Sequence, residues 1–273
     1  MNLEGAIDAE SCKKSDSVNS SEFEWISNCT TTCPLHADRY CARLTCLPKE
    51  HRRTLMWSCF VKTDFFRISE DGQRQVVGRT WSGLFYQNHS EMHARWKLKS
   101  GQRPTRDTHP KRRRRGFRVK IIESLIIDLS DPQNSLIFDP SDSVKVEVDG
   151  EKIYLDRKIL SYHSEFFDVL FSMDCKENAE DSYDLPDVNL GEFIHFLSIV
   201  HGLRVSIDRV SVRYLLYLGN LYHCQVVLNY CEVFLRAADV KKISLDEKFR
   251  LAMEFKLKQL MMETVLKIAD EEE

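Results

Sequence analysis

A change of hydrophobic period near the middle of the chain constrains its fold more than any other feature. Val144, Val146 and Val148 alternate with Lys145, Glu147 and Asp149. Successive side chains on a strand point to opposite faces, so this pattern predicts a strand with one apolar face. Asp149-Gly150 follows, a dipeptide suited to the positive φ angles of a two-residue hairpin turn, and Ile153 and Leu155 carry the alternation back. From residue 160 the spacing turns helical: Leu160, Phe167, Leu170 and Phe171 fall along one side of a helix over 160–171. Tyr183-Asp184-Leu185 reads as a short strand ended by Pro186.

The helical period then dominates. Leu190, Phe193, Ile194, Leu197 and Val200 form an apolar stripe, and Gly202 stands where a left-handed residue stops a helix. Further helices are predicted over 212–223, with Leu215, Leu216, Leu218, Leu221 and Tyr222, and over 226–235. Ser244-Leu245-Asp246-Glu247 has the pattern of a capping box, in which the Ser hydroxyl and the Glu carboxylate each satisfy an amide at the helix start. That helix runs to about 257, and another is predicted over 259–268. The strands are too few to make a core of their own and must pack on the helices, an α+β arrangement.

The first half is written differently. Trp25-Ile26, the run from Ala42 to Leu47, Trp57-Ser58-Cys59-Phe60-Val61 and Phe65-Phe66-Arg67-Ile68 have the aromatic and alternating character of strands. Asp71-Gly72 is a hairpin signal between residues 65–69 and 76–77. This half is expected to be a β-sandwich closed by one or two strands over 117–129. Residues 1–21 are rich in Ser, Asn, Asp and Lys and are expected to be a disordered tail. The domain plan is therefore a tail over 1–21, a sandwich over 22–130, a turn-rich linker over 131–141, an α+β domain over 142–238 and a helical extension over 239–273.

Composition narrows the classes of function. A hydrophobic content of 42% with 10% aromatic residues excludes a wholly disordered chain. No run approaches the roughly 18–20 consecutive apolar residues of a membrane span. The N-terminus lacks the apolar stretch of a secretory signal, which points to the cytoplasm, the nucleus or both. Nine cysteines in a reducing compartment read as free thiols. The net charge of −3 hides an asymmetry: residues 1–140 hold 23 Lys and Arg against 17 Asp and Glu, and the remainder hold 16 against 25. Two domains with surfaces of opposite sign are expected.

The segments of the second half resemble the BTB (POZ) domain over about 142–235. The resemblance lies in the hairpin at 144–149, in Leu160-Ser161-Tyr162-His163-Ser164-Glu165-Phe166-Phe167 and in Tyr183-Asp184-Leu185-Pro186-Asp187-Val188. Leu215-Leu216-Tyr217-Leu218-Gly219-Asn220-Leu221-Tyr222 and Cys231-Glu232-Val233-Phe234-Leu235 complete it, in family order and spacing. Trp25, Leu44-Thr45-Cys46, Trp57-Ser58-Cys59 and Phe65-Phe66 are similar to the early strands of a MATH (TRAF-like) domain. The pair resembles the BTB/MATH families of nematodes.

That resemblance implies a non-enzymatic adaptor. The first domain would capture an unknown protein substrate, and the BTB domain would dock on cullin-3 of a RING ubiquitin ligase. The family's apolar-x-Glu motif for cullin is matched by Cys175-Lys176-Glu177, with Met173 beside it. Cys stands where a bulky residue is usual, which forfeits apolar burial on the order of 1 kcal/mol. Ile159, Phe166 and Val169 are the positions implied to meet a second copy in a homodimer. Ser143 and Asp156-Arg157 depart from the Asp and the Ala-His pair usual in that dimer region. The alternative implied by the same domain is a dimerising scaffold or nuclear transcription regulator without a ligase.

Other motifs have plainer explanations beside the functional ones. Lys111, Arg112, Arg113, Arg114 and Arg115 suit a nuclear-import signal or a phosphate-binding patch, but a solvated loop is the plainer explanation and is preferred. Cys29, Cys33, His36, Cys41 and Cys46 lack the close Cys-x-x-Cys pairs of a zinc site and read as core cysteines, so no metal or other cofactor is expected. No nucleophile elbow, phosphate loop, dinucleotide fingerprint or His-Glu-x-x-His motif is present. His163, His195, His201 and His223 lie on or beside predicted helices and read as packing or surface residues rather than as catalytic bases.

Overall fold

The computed structural model describes residues 2–7, 18–19, 22–30, 39–68, 73–76, 80–97, 115–172 and 182–272. The chain divides into two compact units, one of residues 1–52 and 57–126, the other of residues 53–56 and 127–273.

The first unit is two stacked sheets. One joins β1 (Asn2–Ile7), β5 (Leu55–Ile68), β6 (Arg74–Val76), β7 (Trp81–Tyr86) and β9 (Arg115–Asp128) in the order β1-β9-β5-β6, with β7 also on β5. The other runs β2 (Val18–Asn19), β3 (Phe23–Thr30), β4 (Arg39–Pro48) and β8 (Glu91–Lys97) in that order. Alternate residues of each sheet turn inward, and Phe23, Trp25, Leu44, Cys46, Cys59, Val61, Phe85, Phe117 and Val119 are buried. Trp25 meets Phe85 edge-on at 5.4 Å, and Phe23 meets Trp57 at 5.8 Å, so aromatic pairs join the sheets. Gly83 leaves room for the ends of the Met92 and Trp81 side chains, which a Cβ there would force to shift.

Two expectations change in this unit. The segments at 57–61 and 65–68 belong to one strand, β5, and β6 pairs with it as the hairpin signal suggested (Phe66 opposite Val76). Residues 1–21 supply β1, antiparallel to β9 from Asn2–Lys120 to Ile7–Arg115, and β2 against β3. A polar composition suggested a tail, but the ladder is made by backbone groups, which every non-proline residue carries.

In the second unit the hydrophobic alternation is realised position by position. β10 (Ser143–Val148) and β11 (Glu151–Asp156) form the hairpin, with Val144, Val146, Val148, Ile153 and Leu155 buried. Asp149 and Gly150 take φ of 52° and 76°, the two positive angles such a turn requires. β12 (Ser182–Leu185) lies parallel to β10, so the chain must cross over between them.

The helix expected over 160–171 is two: α1 (Arg157–His163) and α2 (Glu165–Ser172). Ser164 breaks it with an extended φ of −145°. Its hydroxyl accepts from Phe167 N at 3.2 Å and donates to the Tyr222 carbonyl. A hydroxyl that finds backbone partners outside the helix competes with helix continuation.

α3 (Leu190–Val200) is buried around nearly its whole circumference rather than on one stripe. Its polar members are accommodated: Ser198 Oγ donates to Ile194 O at 2.8 Å, and His195 Nδ1 lies 2.6 Å from the Tyr214 hydroxyl. Gly202, at φ 66°, ends the helix as expected, and Leu203 N returns to Ser198 O at 2.8 Å. Around it pack α4 (Ser211–Leu221) and α5 (Gln225–Ala237), then α6 (Leu245–Glu254) and α7 (Lys258–Glu272). The segment assigned from sequence to a linker, and Leu129 just before it, are held on β11: Tyr154 N donates to Leu129 O at 2.7 Å, and buried Asn134 donates to Tyr154 O at 3.0 Å. Among the described residues no helix is long and apolar enough to cross a membrane.

Phe167 lies at the centre of this core, with ring contacts to Phe171, Phe193 and Tyr222. Phe167→Ala should cost about 3–5 kcal/mol in urea unfolding, whereas Tyr162→Ala, at an 85% exposed position, should stay within about 0.5 kcal/mol. Burial lowers the pKa of His195 and of His201 from 6.5 to about 4. The unfolded chain therefore binds protons first, and stability should fall as pH drops from about 6.5 to about 4, by on the order of 3 kcal/mol per histidine. Above that window the loss is absent. Urea midpoints at about pH 7 and about pH 5 check the sign, and His195→Gln with His201→Gln should remove most of the slope.

Candidate interaction site

The implied dimer positions sit on the broken helix. Asp156, 2% exposed, caps α1 by accepting from Ile159 N at 3.0 Å, and it also accepts from Phe138 N at 3.2 Å. The Asp that replaces the family's usual residue thus has a structural task of its own. Ile159 is half-buried. Phe166, 36% exposed, leans on Phe167 and Tyr222 at ring distances of 5.3 and 5.1 Å. Val169 is 52% exposed. Because Ser164 resets the helix, Ile159 does not share one continuous helical face with Phe166 and Val169. Sequence reasoning passed over Tyr162 and Phe138, both left almost wholly in solvent.

Met173, Cys175, Lys176 and Glu177 lie outside the described residues. The structure describes the two flanks of that segment, α2 and β12, which meet through Phe171 and Tyr183 at 5.1 Å. Lys111, Arg112, Arg113 and Arg114 also lie outside the described residues, and Arg115 opens β9.

The helical extension carries a feature that the sequence reading missed. Phe249 and Met253 of α6, with Met261, Met262, Val265 and Leu266 of α7, line an open cavity of about 400 Å³. Surplus apolar residues beyond those that seal the helix pair were the available signal. Buried Leu251, Ala252 and Leu260 hold the pair, and polar bonds add to them. Ser244 Oγ accepts from Glu247 N at 3.2 Å, as a capping box requires. The Glu247 carboxylate, however, is engaged by Arg209 at 2.8 Å and by Arg213, rather than serving only the helix start as expected. The guanidiniums of Arg213 and Arg209 hold its pKa below the ordinary carboxylate range. Arg236 binds Glu263 at 2.8 Å, Glu232 accepts from Leu260 N at 2.9 Å, and Lys248 donates to Ala238 O at 2.6 Å.

Burial raises the thiol of Cys224 to about 11 and that of Cys231 to about 12, so both stay protonated and unreactive near neutrality. Burial also drives the Cys46 thiol, beside Cys59, far upward. Cys33 and His36 lie outside the described residues, and of Cys29 and Cys41 only the strand positions are described. Among the described residues no three His, Cys, Asp or Glu side chains converge on a metal-sized point. His223 sits at φ 48° after α4, 3.6 Å from Glu165.

Comparison with known proteins agrees with this architecture. Residues 140–239 match the BTB/POZ domain. "BTB and MATH domain-containing protein 38" of Caenorhabditis elegans is 26% identical over 127 residues, which is 45% of this chain and 32% of that protein. "BTB and MATH domain-containing protein 39" of Caenorhabditis briggsae is 27% identical over 158 residues, 56% of this chain and 47% of that protein. "Kelch repeat and BTB domain-containing protein 1" of Ectromelia virus (strain Moscow) is 25% identical over 92 residues, 34% of this chain and 16% of that protein. The aligned stretches thus span less than half the length of these relatives. The strands of the first unit are consistent with a MATH-like sheet domain, and residues 140–239 form a BTB/POZ domain similar to those of the BTB and MATH domain-containing proteins.

Proposed function

We propose that the chain is a substrate adaptor of a cullin-3 RING ubiquitin ligase. The observation that carries this reading is apolar surface left in solvent on helices whose own core is closed. Val210 is 74% exposed, and Tyr217, Val233, Met253 and Met262 are more than half exposed. Exposed apolar patches of this kind mark polypeptide-binding surfaces. Cullin-3 would meet the segment bearing Met173, Cys175, Lys176 and Glu177 together with the last helices, while the MATH-like domain recruits the target. Such an adaptor catalyses nothing itself and acts by raising effective concentration through tethering. A second copy would pack against Ile159, Phe166 and Val169, giving a homodimer that presents two target sites.

Co-purification of cullin-3 with the tagged full chain tests the reading. Glu177→Lys should abolish it. Cys175→Met should tighten binding about fivefold by restoring apolar burial worth on the order of 1 kcal/mol. The absence of any cullin binding at micromolar concentration rejects the ligase role. Light-scattering mass checks the dimer: Phe166→Glu with Val169→Asp should shift the chain to monomer.

A further inference from the structure

The sandwich of the first unit holds two cysteines face to face across its core. On one sheet the β3–β4 ladder sets Trp25 opposite Cys46, and on the other the β5–β7 ladder sets Cys59 opposite Phe85. All four side chains are wholly buried. The two cross-strand pairs are mated one upon the other. Trp25 meets Phe85 edge-on at 5.4 Å, and the Cys46 thiol shares a hydrogen bond with that of Cys59. Both thiols are free.

The surroundings narrow what such a pair can do. A metal site would require further ligands, and among the described residues no third His, Cys, Asp or Glu joins the two thiols. Nucleophilic work would require a stabilised thiolate, whereas burial drives the Cys46 thiol far upward. As small apolar side chains the two would serve equally well apart. In contact across the core they stand where sandwiches of the immunoglobulin type carry an inter-sheet link beside a buried tryptophan. Trp25 supplies that tryptophan as the ladder neighbour of Cys46. We infer that Cys46 and Cys59 are a redox couple, which closes into a disulfide between the two sheets when the sandwich opens to a small disulfide oxidant. The inference goes beyond the adaptor reading and holds whether or not cullin-3 binds.

Glutathione disulfide represents that oxidant. One cysteine loses its proton, and its thiolate attacks a sulfur of glutathione disulfide and expels one glutathione thiolate. The second cysteine, deprotonated in turn, attacks the protein sulfur of this mixed disulfide and expels the other glutathione thiolate. Two cysteine thiols are thereby oxidised, one glutathione disulfide is reduced to two glutathiones, and these take up the two protons. A thiol held protonated in a closed core cannot begin the sequence, so the couple reacts only through opened states of the sheets. Under reducing conditions the sandwich keeps its dithiol.

Refolding the full chain from urea in a mixture of glutathione and its disulfide tests the inference. After free thiols are blocked, non-reducing tryptic mapping should recover residues 44–49 joined to residues 54–62 as the main linked pair. The native chain in the same mixture should form that link at least about tenfold more slowly, and sub-denaturing urea should speed it. The linked first unit should melt about 10 °C above its reduced form, as expected for a closed loop of about 15 residues. Dithiothreitol should restore the lower midpoint. Cys59→Ala should lose both the link and the shift. Should that variant fail to fold, the linked peptide and its reversal in the unaltered chain decide. Absence of that peptide after refolding, links spread at random among the nine cysteines, a lower midpoint on oxidation, or equal rates with and without urea overturns the inference.

Discussion

The second unit is organised around Tyr222. Its ring lies within 4.9–6.0 Å of Phe166, Phe167, Phe193 and Phe196, residues of α2 and α3. Its carbonyl accepts the hydroxyl of Ser164, at the break between α1 and α2. One residue at the end of α4 therefore fixes three other helices, apolar side chain and polar backbone together. Burial pushes its phenol upward, so the ring stays neutral in the core. The geometry also explains why the first helical segment is broken. Ser164 gives up helical continuity and gains two backbone partners in the interior, where an unsatisfied hydroxyl would be costly.

The helical extension adds a different kind of interaction. α6 and α7 bury Leu245, Leu251, Ala252 and Leu260, and ionic and backbone-directed bonds add to that attachment. Glu247 is almost wholly buried while its two arginine partners keep more than half of their side chains in water. Half-buried pairs of this kind contribute less than fully enclosed ones, yet they specify where a helix sits. Spending charges on attachment frees apolar residues such as Met253 and Met262 to line an open cavity. Methionine, flexible and polarisable, suits a surface that must adapt to another chain.

Much of the second unit was legible because local signals agreed with tertiary demand. Val144, Val146 and Val148 alternate in sequence and in burial, Asp149-Gly150 turns with the angles its composition suggests, and Gly202 stops its helix. What could not be read depends on residues distant in sequence. Nothing local announces that Ser164 will meet a carbonyl 58 residues away, or that Glu247 will be taken by Arg213 of α4 and by Arg209 just before it. α3 looked amphipathic because His195 and Ser198 are polar, but Tyr214 of α4 partners His195, Ser198 turns back on the Ile194 carbonyl of its own helix, and most of α3 is enclosed. The first unit was harder still. β1 and β9 stand more than a hundred residues apart, and the polarity of the N-terminal stretch carried no information about backbone pairing.

The same distinction separates the fold from its partners. A core residue is constrained by its own chain, so burial period betrays it. A partner-facing residue is constrained by a surface that the chain does not contain. Tyr162, Phe138 and Val210 are apolar at positions where this chain gains nothing from hydrophobicity, and only the folded coordinates reveal that they are left over. Residues that a fold tolerates at some cost, rather than those it requires, are therefore where physical reasoning should look for binding.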